Sequence, residues 1–169
     1  IAKTFSLPPH GYVMNMTVSM INLTEDKRVN VEYEMNACTQ ATFTSGYDKN
    51  FLRFNVFHKD ALKIFPFDKV KNKGAIIEGD SAWIALQKKY FALFVRPDFH
   101  MQHARGQVLN DTVFKATIKA PAREIEYQEK IQDSYVIYAG PTGYTILKDV
   151  GYDFKKITAG GFWGWFKMA

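Results

Sequence analysis

His100 and His103, in the run His100-Met101-Gln102-His103, form a histidine pair whose spacing could hold a metal ion. On a helix, positions three apart share a face, and two imidazoles there could enter one tetrahedral zinc site. Such a site needs further ligands, and this segment supplies only Asp98 and no cysteine. Two surface histidines on a loop are the competing reading. His10 and His58 stand alone. Glu32 with Glu34, and Glu124 with Glu126, are carboxylates two residues apart. On a strand each pair would share a face at about 6–7 Å, a spacing open to glycoside chemistry. Both pairs alternate with apolar residues, which turns them toward solvent. Gly140-Pro141-Thr142-Gly143 lacks the glycine spacing and the Lys-Ser/Thr ending of a phosphate loop, and reads as a turn. Neither a Gly-x-Ser-x-Gly elbow nor a Cys/His nucleophile pattern occurs. Lys69, Lys71 and Lys73 make a basic stretch that reads as a solvated loop. The expectation is a chain with no catalytic residues, no cofactor and no metal.

The elements that must position these residues are mainly strands. A length of 169 residues allows one domain, or one domain plus an appendage, with a sizeable core. The hydrophobic fraction of 47% with 23% charged residues argues against global disorder. Abundant Tyr, Phe, Val, Ile and Thr favour sheet. The net charge of +5 permits an anionic partner, either nucleic acid or lipid; no nucleic-acid motif accompanies it. The single cysteine, Cys38, cannot form an intramolecular disulfide and reads as structural. No secretory signal opens the sequence, and no apolar run reaches the roughly 18 residues of a membrane span. The missing initiator Met and the abrupt ends point to an excised fragment.

Along residues 12–23, Tyr12, Met14, Met16, Val18 and Met20 alternate with polar residues, as in a half-buried strand. Val29, Val31, Tyr33 and Met35 alternate next, and a polar turn between the runs predicts an antiparallel hairpin. Further strands are expected at 51–57, 113–119, 123–128 and 130–139. Residues 83–95 are apolar on both faces and predict a central strand containing Trp83, Tyr90 and Phe91 as packing residues. Residues 96–110 read as a loop. Helix is expected only at 143–150, stopped by Gly151, and at 153–169, capped by Asp153. The pattern predicts an antiparallel sandwich over residues 1–139 with a helical appendage over 140–169.

The end of the chain is its most aromatic part. Phe154, Ile157, Phe162, Trp163, Trp165, Phe166 and Met168 crowd together, accompanied by Lys155, Lys156 and Lys167. Phe154, Ile157, Gly161, Trp165 and Met168 fall on one helical stripe, which Gly160-Gly161 should bend. Trp rings and Lys stems prefer the bilayer interface, so these residues are the expected membrane-interface set.

Three stretches together resemble one family. The first is Gly11-Tyr12 followed by an alternating strand and Asn22. The second is Ser81-Ala82-Trp83-Ile84-Ala85-Leu86-Gln87-Lys88-Lys89-Tyr90-Phe91-Ala92. The third is Tyr138-Ala139-Gly140-Pro141, a helix, and then Gly161-Phe162-Trp163-Gly164-Trp165-Phe166. The chain resembles the periplasmic domain of the bacterial YidC membrane protein insertases, end to end and in order. Thr142 departs from the charged residue many members carry after Gly-Pro, and the chain is short beside the larger members. The resemblance implies a β-supersandwich related in fold to sugar mutarotases, with short C-terminal helices. It implies a non-catalytic domain at the bacterial inner membrane, facing the periplasm or cell exterior. Implied partners are Sec translocon accessory subunits, nascent membrane proteins and, through the C-terminal helix, the membrane surface. Trp83, Tyr90, Phe91, Tyr138, Gly140 and Pro141 are the family-motif residues with structural roles. The alternative is a carbohydrate-binding or mutarotase-like module, whose chemistry would need a general acid and base converging in a cleft. His100 or His103 with Asp98 would be its local candidates.

Overall fold

The computed structural model describes residues 1–41, 48–109 and 113–159. A seven-stranded antiparallel sheet forms its centre. Its strands, in spatial order, are β1 (Ala2–Ser6), β2 (Val13–Ile21), β13 (Lys130–Pro141), β9 (Phe91–Pro97), β8 (Ser81–Gln87), β5 (Arg53–His58) and β6 (Ala61–Pro66). A second, four-stranded sheet runs β4 (Glu34–Ala41), β11 (Val113–Lys119), β10 (His103–Leu109) and β7 (Ala75–Glu78). β3 (Val29–Val31) and β12 (Arg123–Ile125) form a separate two-stranded ribbon. Helix α1 spans Phe67–Lys73 and helix α2 spans Tyr144–Val150. Asp48–Phe51 and Phe154–Thr158 are 3₁₀ segments. The antiparallel sandwich expected from the alternation is the architecture observed.

Three layers result. One face of the large sheet meets the four-stranded sheet through Met16, Val18, Phe54, Val56, Ile84, Leu86 and Val95, packed with Phe114, Ala116, Ile118 and Ala104. Gly106 on β10 lets the layers approach: a Cβ there would sit 2.6 Å from the Phe54 ring. The opposite face of the same sheet presents Phe57, Trp83, Ala85, Ala92, Phe94 and Tyr138. Leu147 of α2, with Phe154 and Ile157 beyond it, covers that face. Residues 83–86 read as apolar on both faces because both faces are covered.

Several expectations are corrected. β2 pairs with β1 and β13, not with the strand that follows it. The run after the turn divides: β3 pairs with β12, and β4 pairs with β11 in the other sheet. Alternation fixes which face a residue takes but not which strand it pairs with. Residues 83–95 are two strands, β8 and β9, joined by a turn in which the Lys88 N–H donates to the Phe91 carbonyl at 2.7 Å. Trp83 is buried as expected, but Tyr90 and Phe91 lie at the turn and are 63% and 60% exposed. Residues 103–109 form β10 rather than loop, with small Ala104 and Gly106 inward where a larger apolar residue would have signalled a strand. The lysine stretch is helix α1, not a loop; Phe67 and Val70 at i and i+3 are buried and the lysines face out. Helix is therefore not confined to the region after Gly140.

The second face makes a direct stability claim. Trp83→Ala and Phe154→Ala should each destabilise by about 3–5 kcal/mol, because each removes a fully buried ring. Urea denaturation midpoints check this, and an unchanged midpoint for either variant would show that the outer cover does not stabilise the sheet.

Candidate interaction surface

At the edge of the second core, the end of β13 joins several elements. Tyr138 is fully buried, with its ring centroid 5.7 Å from Phe94 and 6.0 Å from Tyr12. Its hydroxyl donates to the Pro141 carbonyl at 2.6 Å. Burial first, and Tyr12 second, push the Tyr138 phenol above its ordinary pKa. Gly140 is where Tyr12 lies over the strand: a Cβ at 140 would fall 2.6 Å from Cγ of that ring. The Ala139 N–H donates to the Tyr12 carbonyl at 2.9 Å, fixing the tyrosine's backbone. Pro141 is the last residue of the strand, opposite Phe91. One residue on, the Thr142 N–H donates to the Tyr90 carbonyl at 2.9 Å. The Tyr-Ala-Gly-Pro stretch thus joins the residues before β2, the β8–β9 turn and the start of the C-terminal helices.

From there α2 ends at Gly151, and the next residues return the chain to the sheet. Asp153 stands at the N-cap position of the 3₁₀ segment as expected, but with φ of 62° it is left-handed and its side chain forms no cap. Phe154 stacks on Phe94 at 4.2 Å and 20°, and meets Trp83 edge-on at 5.6 Å and 87°. Phe154 and Ile157 are 0% and 1% exposed. These two members of the expected membrane-interface set are core residues in this structure. An apolar pair at i and i+3 needs an apolar cover, and the outer face of the sheet supplies one. Lys155 and Lys156 are half-buried; the Lys156 ammonium lies 4.3 Å from the Phe57 ring centroid and 3.5 Å from Asp153. Phe162, Trp163, Trp165, Phe166, Lys167 and Met168 lie outside the described residues, as does the Gly160-Gly161 bend.

Beside the strand end lies a cleft of about 410 Å³, lined by Tyr12, Leu86, Phe91, Leu93, Ala139 and Gly140 among others. Of its lining residues, Tyr12 and Phe91 are 48% and 60% exposed; Tyr90, next to Phe91 in the chain, is 63% exposed. The Lys89 ammonium sits 4.8 Å from the Tyr90 ring and 5.2 Å from the Phe51 ring.

The polar candidates fall elsewhere. His100 is exposed, Met101 beside it is buried, and His103 is on β10 with Nε2 4.0 Å from the Glu34 carboxylate. Glu34 is held below the usual carboxylate range by the Thr117 hydroxyl, with Arg105, His103 and Lys115 adding to it. Glu32 pairs with Lys119 at 2.6 Å, and Arg28 spans Glu126 at 2.7 Å and Glu124 at 3.9 Å. Among the described residues no group of three or more His, Cys, Asp or Glu could hold a metal. Burial pushes the Cys38 thiol up to about 12, which keeps it protonated and unreactive at neutral pH.

One constellation escaped the sequence reading. Asp133 is buried in the inward alternation of β13, between Ile131 and Tyr135. Arg123 of β12 donates to both its oxygens, at 2.7 and 2.5 Å. The Tyr33 hydroxyl donates to Asp133 at 2.5 Å and lies 2.6 Å from the Tyr135 hydroxyl. Burial raises both phenols, Tyr135 to about 12. This bidentate clasp ties the β3–β12 ribbon to the large sheet. An acidic residue at an inward strand position was the signal for it.

Over residues 1–168 the chain matches the family model described as the YidC periplasmic domain. It is 28% identical over 94 residues to the "Membrane protein insertase YidC" of Chlorobaculum tepidum, a match covering 52% of this chain and 15% of that protein. It is 29% identical over 94 residues to the protein of the same name from Chlorobium luteolum, again covering 52% of this chain and 15% of the relative. These matches thus take in less than a sixth of the length of either relative. Among the described residues no helix is long and apolar enough to cross a membrane.

Gly140→Ala should cost about 1–3 kcal/mol through collision with the Tyr12 ring. In a Tyr12→Ala background that cost should largely vanish, and a double-mutant cycle of urea unfolding measures the coupling. Additive effects would show that the ring does not set the residue at 140. Asp133→Ala should cost about 2–4 kcal/mol, reduced from the fully buried case because Arg123 retains 30% exposure. Thermal unfolding checks this, and an unchanged transition would remove the clasp from the account.

Proposed function

The chain belongs to the YidC periplasmic-domain family, and from that premise we propose that it is a non-catalytic extracytoplasmic domain of a membrane protein insertase. It sits at the bacterial inner membrane, facing the periplasm or cell exterior. It assists insertion and folding of membrane proteins through contacts, with translocon accessory subunits and nascent membrane segments as its partners. The observation that supports this most is the docking of Phe154 on Phe94 and Trp83. That contact fixes where the chain leaves the sandwich, so the Trp-rich stretch that follows starts from a defined point.

The membrane surface is the partner best suited to that stretch. Because Phe154 and Ile157 are core residues, the membrane-facing set reduces to Phe162, Trp163, Trp165, Phe166 and Met168, with Lys155, Lys156 and Lys167 toward headgroups. Each lysine near an anionic surface contributes about 1 kcal/mol. The rings add apolar burial at the acyl–headgroup boundary.

The test is co-sedimentation of the full chain with vesicles of equal parts phosphatidylglycerol and phosphatidylcholine. Replacing Trp163 and Trp165 together by Ser should weaken binding by about tenfold or more, with the unfolding midpoint unchanged. Equal binding by both proteins would remove the tail from the membrane.

A further inference from the structure

Tyr90 and Phe91 are neighbours in sequence, both large, and both mostly exposed, at 63% and 60%. They belong to a two-strand turn whose geometry is fixed. The Lys88 N–H donates to the Phe91 carbonyl, and the Thr142 N–H donates to the Tyr90 carbonyl. The Thr142 hydroxyl reaches the Lys89 carbonyl at 3.5 Å. These bonds fix the backbone of the turn, and from it both rings project largely into solvent, an adjacent pair of apolar side chains available for contact.

We propose that the β8–β9 turn is a membrane-contact element separate from the C-terminal tail, with Tyr90 and Phe91 entering the headgroup–acyl boundary and Lys88 and Lys89 meeting anionic headgroups. This rests on the reading that the domain lies beside a bilayer. The chemistry of the tip selects lipid. Residues 87–95 contain two lysines and no carboxylate, so the charge complements an anionic surface. Tyrosine with an apolar ring and lysine beside it is the composition of a bilayer interface. The Lys89 ammonium already lies over the Tyr90 ring, which keeps charge and ring on one side. The same turn is bonded to Thr142, two residues before α2, so it shares an end of the domain with the start of the C-terminal helices. Exposed Tyr12, packed over Gly140, and exposed Tyr144, at the first position of α2, extend the aromatic character of that end. His10 and Asp149 line a shallow pocket together with Tyr12.

The test uses the full chain and two vesicle compositions, pure phosphatidylcholine and equal parts phosphatidylcholine and phosphatidylglycerol. The variants are Tyr90→Ser with Phe91→Ser, Lys88→Gln with Lys89→Gln, and the tail pair Trp163→Ser with Trp165→Ser. The ring variant should bind both kinds of vesicle about tenfold more weakly than the unmodified chain, with an unchanged urea midpoint. The lysine variant should lose binding only to the anionic vesicles. Full binding by the ring variant, with the tail variant weakened, overturns this inference and leaves the proposed domain reading standing. Absence of vesicle binding by the unmodified chain overturns both. A lowered urea midpoint in the ring variant would assign the rings to the fold and also overturns it.

Discussion

Strands β8 and β9 carry apolar side chains on both of their faces, and a sheet of that kind needs two covers. The four-stranded sheet provides one, through Phe114, Ala116 and Ile118. The other is provided by a few residues of the C-terminal region, chiefly Leu147, Phe154 and Ile157. Phe154 is the centre of that second cover, because it stacks on Phe94 and touches Trp83 and Tyr138 together. A short α-helix and one 3₁₀ segment would be marginal alone. They hold their shape because the sheet beneath them is apolar and otherwise wet.

The same constraint accounts for the route of the chain. To lay Phe154 over Phe94, the backbone must leave β13 at Pro141, pass the β8–β9 turn at Thr142 and come back over the sheet. Tyr12 over Gly140 closes the gap at that exit. At the opposite end of β13, near the β3–β12 ribbon, the Arg123–Asp133 pair ties down an element too small to build a core of its own. Aromatic packing holds one end of this strand and a buried charge pair the other.

Much of this was legible in the sequence, and the rest was not for identifiable reasons. Met16, Val18 and Met20 alternate with polar residues and are buried on one face as that pattern requires. Trp83 in a doubly apolar run is buried. Tyr90 and Phe91 misled because a turn between two apolar strands leaves an apolar run nearly continuous. Phe67 and Val70 were hidden among lysines that lie on the outer side of α1. Phe154 and Ile157 show the deeper limit: helical spacing of apolar residues says that a face needs cover, and lipid and sheet satisfy it equally. Strand partners were unreadable where pairing is distant, as for β2 with β13 or β3 with β12. The family motifs contributed where packing could not, since Gly140-Pro141 marks the exit from the sandwich independently of any periodicity.

The account stands on the C-terminal segment being part of the cooperative fold. Amide hydrogen exchange tests that at individual residues. The amides to follow are Leu147 and Gly151 in and after α2, and Lys156 and Ala159 in and after the 3₁₀ segment, each bonded to a backbone carbonyl of its own segment. The account predicts that they open only with β8 and β9, at the free energy of global unfolding. Rapid exchange at these amides, with Ile84 and Val95 still protected, would show that the second face of the sheet is not held by this segment and would contradict it.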